Sequence, residues 1–83
     1  MWRWPGDGGW HFITLDRDLT AKIRERYGKG MIRIIARVGI SSWNTSLFPH
    51  TRDKTYLICI KKIIRQNEDL FENDLVQLKF EII

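Results

Sequence analysis

The sequence predicts a mainly β fold: a small closed or nearly closed β-barrel of about six strands with two short helices. Three observations carry that expectation. Apolar residues recur at every second position in "MIRIIARVGI" and "VQLKFEII", the period of a strand with one buried face. Gly, Pro, Asn and Asp interrupt the chain often enough to keep its elements short. Finally, 83 residues with 43% hydrophobic and 12% aromatic content suffice for one core only, so residues 1–83 read as a single domain. Closure into a barrel would hide strand edges that otherwise recruit other chains.

The elements follow in order. "WRWPGDGGWHFITL" gives two short aromatic strands around a Pro-Gly-Asp-Gly-Gly turn. Asp16 caps a helix that carries Leu19, Ile23 and Tyr27 at spacing four, with Gly28 as its left-handed terminator. Ile32, Ile34, Ala36, Val38 and Ile40 then share one face of a strand, while Arg33 and Arg37 point to the other. Trp43, Thr45 and Leu47 alternate with Asn44, Ser46 and Phe48 until Pro49 removes a ladder donor, and "HTRD" forms a loop. "TYLICI" reads as the returning buried strand, and "KKIIRQN" as one or two helical turns. A turn at Glu72, Asn73 and Asp74 leads into a last strand with Val76, Leu78, Phe80 and Ile82 inward. The four Trp, four Phe and two Tyr are expected to supply much of the core.

These pieces, "WPGDGGWHFITL", "TSLFPH", "YLICIKKIIRQ" and "FENDLVQLKFEI" in that order, resemble the domain of unknown function nineteen-oh-five family over nearly the whole chain. The Ser46–Pro49 run, followed by a strand leading into Ile60, Lys61 and Lys62, carries most of the likeness. The resemblance implies a small bacterial or archaeal β-barrel, sometimes attached to a second small domain, with no established activity. Three departures stand out: Asn73-Asp74 replaces a Gly-Asp turn, Asp16 replaces a proline before the first helix, and the first strand is short.

Composition excludes several chemistries. Cys59 is the lone cysteine and sits in the apolar run "YLICI", which rules out a disulfide framework and favours a reducing, cytoplasmic setting. It reads as a structural thiol with no flanking cation to hold a thiolate. No stretch reaches the roughly 18 apolar residues of a membrane helix. His11 and His50 lack the further ligands a metal site needs, so no metal or other cofactor is expected. His11 should donate a structural or surface hydrogen bond, and His50 should occupy a loop. Ser46 with a histidine and an aspartate would supply the types for nucleophilic catalysis, yet no local signature joins them, and an enzyme is not the expectation.

One constellation remains, an anion site. Arg33 and Arg37 lie on the off-core strand face, Lys61, Lys62 and Arg65 cluster around the second helix start, and Ser46 or Thr45 offers a hydroxyl. Trp10 and Trp43 could stack a planar ligand beside it. The expected function is therefore a non-catalytic binding module for an anionic small molecule or a protein partner. The alternative is a nucleic-acid-binding module of the swapped-hairpin barrel kind, suggested by a net charge of +4. Because acids alternate with the cations, that charge is spread rather than concentrated. An open edge strand would let the chain form a homodimer.

Overall fold

The computed structural model describes residues 1–6, 8–28, 30–50, 52 and 54–83. The element order is β1 (Trp2–Arg3), β2 (His11–Thr14), α1 (Arg17–Tyr27), β3 (Ile32–Val38), β4 (Ser41–His50), β5 (Thr55–Cys59), α2 (Lys62–Asn67) and β6 (Lys79–Ile82). All pairings are antiparallel, and the strands form one six-stranded sheet in the order β1-β2-β5-β4-β3-β6. The mainly β fold with two short helices is as expected.

Closure is not found. The sheet is open, with β1 and β6 at its edges. Only two residues of β1 and four of β6 enter ladders, too little extended chain to meet across the core. The nearest link is a clasp at one end: the Met1 amino group donates to the Asp74 carbonyl at 2.8 Å, and Asn73 N–H donates to the Met1 carbonyl at 2.8 Å. Asn73 adopts φ 74°, a conformation Asn tolerates, while the Asp74 carboxylate accepts from Phe71 N–H at 2.8 Å and fixes the turn.

One face of the sheet is the core face. Ile34 and Ala36 of β3, Leu47 of β4, and Tyr56 and Ile58 of β5 are fully buried there, with Ile60 beyond β5 and Ile23 of α1 and Ile64 of α2 packed onto the same cluster. The two-residue period of β3 gives this arrangement directly, since Arg33 and Arg37 are left exposed. α1 starts where Asp16 caps the Leu19 N–H at 3.4 Å and ends at Gly28, whose φ of 91° suits a residue without a side chain. The buried Tyr56 hydroxyl donates towards the Gly28 and Gly30 carbonyls at 3.0 and 3.2 Å, pinning the α1–β3 connection to the core.

Four expectations are corrected. Ile40 is fully exposed because β3 ends at Val38 and Gly39, at φ 57°, turns the chain. Pro49 does not end its strand: it pairs with Tyr56 and the ladder continues to His50 with Thr55. A proline is tolerated in a ladder where its missing N–H faces away from the partner. His50 is therefore a strand residue, while Thr51 and Asp53 of the expected loop, like Asp7 of the first turn, lie outside the described residues. Lastly, of the aromatics only Trp43 and Tyr56 are buried, and the core is mostly Ile, Leu and Val.

Candidate ligand site

Five of the aromatic residues missing from the buried core, Trp2, Trp4, Trp10, Phe12 and Phe48, collect on the opposite face. Directly paired residues share a face, so the pairs Trp2–Phe12, Phe12–Cys59, Thr14–Leu57 and Phe48–Leu57 place an apolar strip across β1, β2, β5 and β4. Past the β1 ladder, Trp4 N–H donates to the Trp10 carbonyl at 2.8 Å, which sets the two tryptophans opposite one another above that strip. Trp2, Trp4 and Phe12 pack against one another in tilted and edge-on arrangements, with ring centroids 5.2–6.0 Å apart. The result is a cleft of about 620 Å³, lined by Trp4, Trp10, Phe12, Phe48, Leu57 and Cys59, with Thr45, His50 and Lys61 completing it. This volume lies in the range of small-molecule sites, about 300–1,000 Å³.

Large apolar side chains remain uncovered here: Trp10 is 58% exposed, Trp4 44% and Phe48 38%. Local sequence explains why Trp10 stands where it does. Gly8 has φ 99°, and a Cβ there would come within 2.9 Å of the Trp10 indole nitrogen, so the ring folds against bare backbone.

A smaller cavity of about 270 Å³ adjoins the cleft, with Gly9, Trp10, Cys59, Lys61, Lys62 and Arg65 in its wall. Trp10, Cys59 and Lys61 line both. Arg65 braces this wall: its Nε donates to the Ile60 carbonyl at 3.2 Å and its guanidinium reaches the Gly9 carbonyl at 3.5 Å. The same carbonyl lies 2.6 Å from His11 Nδ1, and since a carbonyl only accepts, that nitrogen carries the proton. His11 is thus a buried structural donor that positions the Trp10 backbone.

Cys59 is half-buried between the two spaces. Burial pushes its thiol above the usual range, and the opposing pull of Arg65 and Lys61 is the smaller influence. Arg65 and Lys61 act on this cysteine from across the smaller cavity, but burial outweighs them and no thiolate is held.

The structure divides the residues expected to form one anion site. Lys61 and Arg65 meet in the smaller cavity together with Lys62. Arg33 and Ser46 are directly opposed on β3 and β4, on the same sheet face as Phe48 but beyond it, and they line neither space. Arg37 approaches Glu81 at 3.8 Å, an exposed ion pair. Trp43, expected to stack a ligand, is buried on the core face opposite Ala36, whereas Trp10 lines the cleft. Trp4, Phe12, Phe48 and Leu57 had not been expected as lining residues. For Trp4 and Phe12 the signal was present: Trp2 and Trp4 flank Arg3, and Trp10 and Phe12 flank His11, a spacing that puts the rings together once the hairpin forms.

Among the described residues, no three of His, Cys, Asp and Glu come together to hold a metal ion. No helix among them is long and apolar enough to cross a membrane. No curated protein and no solved structure matches the chain. The family described as Domain of unknown function (DUF1905) does match, over residues 1–80, and the chain belongs to it.

Proposed function

We propose that the protein is a non-catalytic binding module for a small molecule with a flat apolar body and an anionic group. One observation carries the reading: an exposed aromatic cleft and a basic cavity share Trp10, Cys59 and Lys61, so a single ligand spanning both would meet rings at one end and cations at the other. Burying an exposed indole against a ligand ring contributes through area and stacking. Lys61, Lys62 and Arg65 then supply charge-assisted donors to the anion, with Arg65 already oriented by its two carbonyl partners. Arg33 and Ser46 extend the same face and would serve the tail of a longer ligand.

An aryl sulfonate such as 8-anilinonaphthalene-1-sulfonate, compared with its uncharged N-phenylnaphthylamine counterpart, tests this by tryptophan fluorescence. The anionic probe should bind more tightly. Lys61→Glu should weaken it about tenfold, equivalent to ~1.4 kcal/mol, with little effect on the neutral probe, while Trp10→Ala should weaken both. Equal binding of the two probes, or indifference to both substitutions, would remove the reading. Binding of single-stranded nucleic acid that collapses steeply with salt would favour the alternative, a nucleic-acid module.

A further inference from the structure

The edge strand β6 is a second unfinished surface, separate from the ligand cleft. It pairs with β3 alone, in the register Ile34–Ile82, Ile35–Glu81, Ala36–Phe80 and Arg37–Lys79. Ile83 N–H donates to the Arg33 carbonyl at 3.1 Å, and backbone groups alternate sides along a strand. The amides and carbonyls of Lys79 and Glu81 therefore point to β3, and those of Phe80 and Ile82 point out from the sheet, where they form a pairing edge.

From this edge we infer that β6 pairs antiparallel with β6 of a second copy, about a two-fold axis through Phe80, making one continuous sheet of the two chains. The register follows from charge and from hydrogen-bond direction. In an antiparallel pair, opposed residues must present their backbone groups the same way, so the axis passes through a residue and not between two. An axis through Lys79 or Glu81 sets that charge against its own copy. An axis through Leu78 leaves Lys79 opposite Gln77, and one through Ile82 leaves Glu81 opposite Ile83. Only the axis through Phe80 opposes Lys79 to Glu81 of the second copy, and does so twice. It also makes Phe80 an outward-facing, hydrogen-bonded pair with itself, which the direction of its backbone groups requires.

The single chain has a reason to accept this pairing. Lys79 lies directly opposite Arg37 in the β3–β6 ladder, a like-charge contact, and Glu81 already approaches Arg37. A second Glu81 answers the surplus cation. On the core side, Phe80 and Ile82 border an open groove of about 630 Å³ against Leu19, Ile23 and Tyr27 of α1. Leu19 and Tyr27 are exposed. A two-fold normal to the sheet sets the two grooves side by side and covers both.

The experiment is analytical ultracentrifugation of the 83-residue chain with two charge variants. Wild type should show a concentration-dependent dimer. Lys79→Glu alone and Glu81→Lys alone should each weaken it about tenfold or more, because each opposes like charges. An equimolar mixture of the two variants should recover dimerisation as a heterodimer, since every opposed pair is again of opposite sign. Circular dichroism confirms that each variant is folded. A wild-type monomer at millimolar protein, including one that instead takes up an extended peptide along β6, would overturn the inference, as would a dimer that ignores the charge changes or a mixture that fails to recover.

Discussion

At the scale of single residues, Cys59 reports most directly on the cleft. Its thiol is pushed up by burial more than it is pulled down by Arg65 and Lys61, so it is largely protonated near neutral pH. Alkylation by iodoacetamide at pH 7.5 should therefore run slower than that of an exposed peptide cysteine, and Lys61→Glu should slow it further by removing one of the lowering charges. Alkylation as fast as the peptide's would contradict this balance. A ligand in the cleft should protect Cys59 from the reagent, because the thiol lines both spaces. Individual residues were only partly legible in sequence. Alternation alone was enough to place Arg33 and Arg37 outside the core, but nothing local distinguishes the buried Trp43 from the exposed Trp10. Burial there depends on which sheet face the helices cover, a property of the whole chain.

At the scale of elements, periodicity was informative where a strand has one wet face and silent elsewhere. β3 reads without ambiguity, and α1 is marked at both ends by Asp16 and Gly28. Pro49 misled because its meaning depends on which side of β4 its missing N–H faces, and that requires the partner strand. The β3–β4 turn shows how a local residue serves distant packing. Gly39 has φ 57°, and a Cβ there would collide with the carboxylate of Glu68, which follows α2 and accepts a hydrogen bond from the Ser41 hydroxyl at 2.8 Å. Gly39→Ala should cost about 1–2 kcal/mol by urea unfolding, from a left-handed backbone and a displaced carboxylate. The same change in a Glu68→Ala background should cost less, because only the backbone contribution remains. An unchanged midpoint in the native background would show that neither effect operates.

At the scale of the molecule, the decisive fact is the distribution of side chains between two faces of one open sheet. Helices, with the segment before β6, cover the core face and bury aliphatic residues, while the other face keeps its tryptophans and phenylalanines in the open beside three cations. The cations at the start of α2 are adjacent in sequence, but charge alone carries no distance, so their separation from Arg33 and Arg37 shows only in the fold. Closure is equally illegible, because six short strands with alternating faces fit a barrel as well as an open sheet. The difference lies in how few residues β1 and β6 contribute to their ladders.

Residue-resolved NMR titration of the protein with an aryl sulfonate tests the central proposal most directly. The largest shifts should fall on the Trp10 and Trp4 indole N–H signals and on the amides of Gly9, Cys59 and Lys61, tracing one path from the aromatic cleft into the basic cavity. Shifts confined to the α1–β6 groove, or scattered without a common locus, would contradict it.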